Sequence, residues 1–309
     1  MTHRRVLDAA EKVLAATTRS PYAHTSHLLV RVDGTTVVDE HLRGPLVSDV
    51  FSVTKTVLAT ALGVMARRRL LPDLDSPLGD VLPVLRGQPH TWRHLLTMTR
   101  GAEVDDTDEV VALPGGQVER FARAAQLTEP GTTFAYDDGA AHLLSAAAGQ
   151  VLGESLGDFA RREVFEPVGI TDAEWLADPD GVTYGHAHLR ISADSLGRLG
   201  QLWLDRGESR RHGLIDPDYF SQLVTPSSAG GPPEQLPYGF LVWLDDGMLL
   251  AGGWAGQHVL VVPSARAVVV TTGFPNFRFG PPPADDLPPD WAPALDLVRR
   301  RLLPVLRTR

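Results

Sequence analysis

Phe51-Ser52-Val53-Thr54-Lys55 opens a stretch, residues 51–71, that reads FSVTKTVLATALGVMARRRLL. Val53, Thr56, Val57, Thr60, Ala61, Val64 and Met65 recur there at helical spacing. Ser48 and Asp49 just upstream are expected caps, and Pro72 is expected to stop the helix. Residues three apart share a helix face, so the Ser52 hydroxyl and the Lys55 ammonium can meet. A serine hydroxyl is a weak nucleophile until a base takes its proton. Lysine can be that base only where burial or a nearby cation disfavours its charged form. A helix start also offers free N–H groups to a developing oxyanion. Ser-x-x-Lys is common in isolation, and an ordinary surface lysine at a helix start explains it equally well. Composition sharpens the reading. The chain has two lysines, Lys12 and Lys55, and its other 27 basic residues are arginine. Arginine cannot act as a base because it does not deprotonate, so a lysine kept at position 55 points to more than charge.

Working outward, residues 6–16 carry apolar positions at helical spacing. Leu28 to Val32 and Thr35 to His41 are β-rich runs split by Asp33-Gly34, a strong hairpin signal. From residue 73 to about 213 the pieces read as helices and loops: 92–98, 118–127, 139–151, 155–165 and 192–206. After Pro237 the period changes, and 238–244, 248–251, 257–262 and 267–272 read as strands. The residues from Pro275 to Pro289 form a loop without periodicity, and Trp291 to Leu303 reads as a closing helix. The sum is an α+β fold. A mostly antiparallel sheet is built from both ends of the chain, terminal helices flank it, and a mainly helical region is inserted. The expected division is a discontinuous sheet domain, 1–71 with 214–309, and a helical domain, 72–213. Strands split in this way exclude a Rossmann order and a TIM barrel.

At these residues the chain resembles the serine β-lactamase and penicillin-binding-protein superfamily, in particular its class C-like branch of esterases and aminohexanoate-oligomer hydrolases. The resemblance runs over nearly the whole chain and implies Ser52 as acylated nucleophile and Lys55 as its partner base. Phe134-Ala135-Tyr136-Asp137-Asp138 stands where the family has Tyr-x-Asn. Tyr136 would then be the phenolic acid/base, and Asp138 replaces an asparagine that touches lysine and substrate. A carboxylate there would stabilise the charged lysine and resist an anionic substrate. Trp254-Ala255-Gly256-Gln257 stands where the family has Lys/His-Thr/Ser-Gly. By resemblance, the Gln257 N–H joins the Ser52 N–H in an oxyanion hole, and Gly256 permits close backbone approach. Trp254 replaces a cation that normally reads a substrate carboxylate, which favours a neutral or apolar acyl group. Trp92, Tyr238 and Trp254 are expected pocket walls by the same analogy. The implied activity is a serine hydrolase acting through an acyl-enzyme on a carboxylic ester or small amide. Alternatives on the same fold are a transacylase, a β-lactamase or D-amino-acid peptidase, and a non-catalytic binding module.

Other readings are weaker. The 309 residues are 43% hydrophobic and 22% charged, a globular composition with net charge −9, which disfavours nucleic acid as partner. With no cysteine there is no thiolate site or disulfide. Gly153-Glu154-Ser155-Leu156-Gly157 matches a nucleophile elbow literally, but a helix rather than a strand precedes it. The histidine pairs 24/27, 90/94 and 186/188 lack a completing carboxylate, so neither metal nor cofactor is expected. No apolar run reaches membrane length, and no secretory leader is evident. The expectation is a cytoplasmic protein with a small-molecule substrate and no membrane partner. A homo-oligomer is compatible with the sequence, which does not specify one.

Overall fold

The computed structural model describes residues 3–209, 212–275 and 287–308. Most of the expected loop between Pro275 and Pro289 therefore lies outside the described residues. The N-terminal helix α1 is His3–Ala16, followed by strands β1 (Thr25–Val32) and β2 (Thr35–His41). Asp33 and Gly34 turn between these strands with φ of 50° and 78°, the pair of positive angles a two-residue hairpin needs. Helix α2 is Val53–Arg67, α3 is Asp138–Leu152 and α4 is Ala193–Leu204. Six strands complete the sheet: β3 (Ser228–Gly231), β4 (Leu236–Tyr238), β5 (Trp243–Asp245), β6 (Met248–Gly253), β7 (Gln257–Val262) and β8 (Ala267–Gly273). Their order is β2-β1-β8-β7-β6-β5-β4-β3, antiparallel throughout.

The register explains the layers. Leu29 pairs with Val270, which pairs with Val259, so these three share one sheet face. Helix α4 lies on that face. An added Cβ at Gly197 would sit 2.9 Å from Leu29, and one at Gly200 would sit 3.0 Å from Val259, so two glycines let the helix close on the sheet. The opposite face, with Val30, Leu260 and Val269, is equally buried. Helix α1 packs against the C-terminal helical segment, which runs through Leu295–Leu297, Val298–Leu302 and Leu303–Arg307.

Several expectations need correction. Residues 238–244 are not one strand: β4 ends at Tyr238, and a turn with Leu241 at φ 52° precedes β5. Helix α2 ends at Arg67, and Arg69 turns left-handed at φ 58°, well before Pro72. Ser48 and Asp49 do not cap α2; they belong to the short strand Val47–Asp49, which pairs with Leu189–Ser192. Ser155 caps the following short helix by accepting from the Asp158 N–H, and Gly153 ends α3, so Gly153 to Gly157 joins two helices. The sequence reading missed β3 and the helix Pro217–Leu223, which are short and carry weak periodicity.

Helix α2 lies between the two regions and has no solvent face. Every residue from Val53 to Met65 is buried, so amphipathic spacing understates its position. Its threonines are satisfied internally. Thr56 donates to the Leu241 carbonyl at 2.8 Å, and Thr60 donates to the Thr56 carbonyl while accepting from the Trp203 indole at 2.9 Å.

Candidate active site

Asp49 sets the entry to α2. Its Oδ1 accepts from the Phe51 N–H at 2.7 Å, and its Oδ2 lies 3.0 Å from His188 Nδ1. Phe51 adopts φ 46°, a left-handed conformation that costs energy for a bulky residue. That kink leaves Ser52 at the N-cap position, with its N–H lacking an acceptor among the described residues. Ser52 Oγ accepts from Lys55 Nζ at 2.7 Å.

Lys55 is 1% exposed and packed on all sides. Nζ also donates to the His186 carbonyl at 3.1 Å, lies 2.6 Å from Asp138 Oδ1 and sits 4.8 Å from the Tyr136 ring centroid. Burial alone would lower its pKa, but Asp138, with Tyr136 adding, outweighs burial and raises it. Lys55 is therefore an ammonium at neutral pH. Burial disfavours the Asp138 carboxylate, yet the Lys55 charge holds its pKa down to about 2. Thr107 donates to its other oxygen at 2.8 Å. Burial pushes the His186 imidazole well below its ordinary value, so that ring is neutral beside the pair.

The loop that carries Tyr136 and Asp138 has its own anchor. Arg100 is buried and pairs through Nε with Asp137, while donating to the carbonyls of Phe121 at 2.9 Å and Glu103 at 3.3 Å. The other oxygen of Asp137 caps α3 by accepting from the Ala140 N–H at 3.1 Å. Tyr136 stacks on Trp243, with centroids 5.6 Å apart and planes 16° apart, and meets Tyr238 edge-on at 6.2 Å.

Strands β6 and β7 close the other side. Gly253 lies against the nucleophile turn: an added Cβ would collide with the Val50 carbonyl and sit 3.3 Å from Ser52 N. Trp254 is 36% exposed and meets Phe51 edge-on at 5.1 Å. Ala255 and Gly256 turn with φ of 59° and 90°. Gln257 opens β7 and donates its side-chain amide to the Gly273 carbonyl at 2.9 Å, which ties β7 to the end of β8.

Ser52, Lys55, Tyr136 and Asp138 thus meet in one place. Two expected walls do not. Trp92 is 0% exposed within the core, and Tyr238 is 1% exposed behind Tyr136, so neither presents a surface to a substrate. Gly256 is required by its positive φ; its nearest neighbour, Trp291, is 3.5 Å from an added Cβ, and the close approach belongs to Gly253. Sequence reading also missed Thr107 and the His186 carbonyl, and it named Asp49 as a helix cap rather than as the acceptor of the Phe51 N–H. A main-chain acceptor carries no residue signature, whereas the Gly252-Gly253 doublet was a usable sign of close approach.

A family model for β-lactamase matches residues 19–291. The chain belongs to the β-lactamase family. None of the curated proteins matches it. Solved structures share its fold. A Bacillus anthracis protein provisionally named a 6-aminohexanoate-dimer hydrolase is 16% identical, with TM-score 0.78 over 96% of this chain and 81% of that one. EstCE1, a hydrolase with promiscuous acyltransferase activity, is 17% identical, with TM-score 0.73 over 88% and 94%. A penicillin-binding protein from Bacillus halodurans is 18% identical, with TM-score 0.71 over 94% and 98%.

Gly253 supplies a first prediction. Gly253→Ala must displace Val50 or the strand, because the nearest atoms are backbone. Activity should fall about 100-fold, the scale of a lost oxyanion donor. Gly149→Ala, whose Cβ meets nothing nearer than 3.5 Å within α3, should be neutral or stabilising. Steady-state kinetics beside thermal melts checks both.

Proposed function

We propose that this β-lactamase-family chain is a serine hydrolase of the esterase and small-amidase type, working through an acyl-enzyme. The observation that carries this is the 2.7 Å contact between Nζ of the buried Lys55 and Oγ of the half-buried Ser52. Ser52 Oγ attacks the substrate carbonyl carbon, and its proton passes to Lys55, directly or with Tyr136. Lys55 is charged at rest, so it accepts that proton only after losing its own, and the rate rises with pH. The Ser52 and Gln257 N–H groups hold the tetrahedral oxygen. Collapse expels the alcohol or amine, protonated by Tyr136, and leaves the acyl group on Ser52. Water, activated by the same base, then releases the acid.

The substrate is neutral at its acyl end. Lys55 and Asp138 cancel each other's charge, and Trp254 offers an apolar wall. The Lys55–Asp138 ion pair also favours a second reading, a binding module whose lysine is permanently neutralised. Labelling with a fluorophosphonate separates the two. One stoichiometric adduct by intact mass, absent from Ser52→Ala, is expected of the hydrolase. A folded protein that takes no adduct from small fluorophosphonates and turns over no ester would leave the binding module standing.

A further inference from the structure

The catalytic cluster lies at one end of β6, and a separate cavity lies at the other. Leu249 and Gly253 are four residues apart, about 13 Å along a strand. The cavity is a solvent-open hollow of about 540 Å³, a size typical of small-molecule sites. Its walls include Trp203, Phe220, Val224, Met248, Leu249 and Val261. The end of α4, the helix Pro217–Leu223 and two strands supply these residues, so the hollow is built between rigid elements.

Its charged groups differ in one respect. Asp246 is engaged by Arg307 at 3.1 Å, and neighbouring Asp205 is engaged by Arg266 at 3.0 Å. Arg206 lines the same cavity, and its guanidinium lies 5.4 Å from the Phe220 ring centroid. It has no carboxylate partner among the described residues. An arginine held over an aromatic ring without a carboxylate partner can turn its donors to a planar anion. An apolar hollow with one such cation fits a molecule that has a hydrocarbon body and a single carboxylate.

We propose that this cavity is a second ligand site, distinct from Ser52, that binds an aliphatic carboxylate with its head on Arg206 and its chain against the accessible Val224, Pro226 and Pro237. Sodium decanoate below its micellar concentration is the probe, titrated by calorimetry and by tryptophan emission, since Trp203 lines the wall.

The expected result is saturable one-to-one binding, unchanged in Ser52→Ala. Arg206→Gln, an exposed position, should weaken it about tenfold or more, as expected for a lost charge-assisted bond. Val224→Trp, which fills the hollow, should abolish it. Decanol binding as tightly as decanoate would overturn the carboxylate assignment. Loss of binding in Ser52→Ala, or its survival in Val224→Trp, would place the ligand elsewhere and overturn the site. An absence of saturable binding in the unaltered chain would overturn it outright.

Discussion

Lys55→Ala should abolish hydrolysis, with kcat/KM falling on the order of 10⁴-fold or more, because nucleophile and base act as a unit. The variant should also melt earlier. Asp138, whose side chain is 24% exposed, would be left without its cation, a defect that costs less than the roughly 3–5 kcal/mol of fully buried pairs. A second substitution separates the two effects. Lys55→Ala combined with Asp138→Asn removes both charges, so stability should largely return while activity does not. Recovery of activity together with stability would mean that Lys55 serves the fold and not the reaction.

Asp138→Asn alone should move the pH profile. Asp138 is the main influence raising the Lys55 pKa, and burial opposes it. Without the carboxylate, burial dominates and the lysine releases its proton at lower pH. The rising limb of kcat/KM should therefore shift toward acid, with a gain in rate at neutral pH. An unmoved limb would assign the proton transfer to Tyr136 rather than Lys55. The same ion pair links stability to pH. The Asp138 contribution is present above its unfolded value near 3.8 and is lost as pH falls toward 2. The Lys55 contribution is present below 10.5 and is lost as pH rises through its raised folded value.

The parts of the fold that were legible in the sequence are those set by local physics. Asp33-Gly34 marked its hairpin because two positive φ angles demand such residues. Strands β6 to β8 stood out as short apolar runs between turns, since both sheet faces are covered. Long-range packing was not legible. The burial of α2 on every side depends on α3, on β6 and on the helix Pro217–Leu223, which no window of sequence contains. Trp92 and Tyr238 failed as walls for the same reason. An aromatic that lines a pocket and one that backs the pocket's lining look alike in sequence, and only packing separates them. Ser52 and Lys55 were picked out by their spacing and chemistry, whereas Tyr136 and Asp138 came from the family resemblance. Thr107 acts on Asp138 at one remove, and nothing in its local sequence says so; Asp49 stood out as a cap, but its hold on Phe51 did not.

The acyl group on Ser52 can be weighed directly. The protein would be mixed with a p-nitrophenyl ester of a short neutral acid, quenched in acid within the first turnover and digested for mass analysis. The acyl mass should appear on the peptide containing Ser52, with a burst of p-nitrophenol equal to the enzyme present. An acyl group on any other residue, or steady turnover with no burst and no trapped adduct at saturating ester, would contradict the acyl-enzyme mechanism.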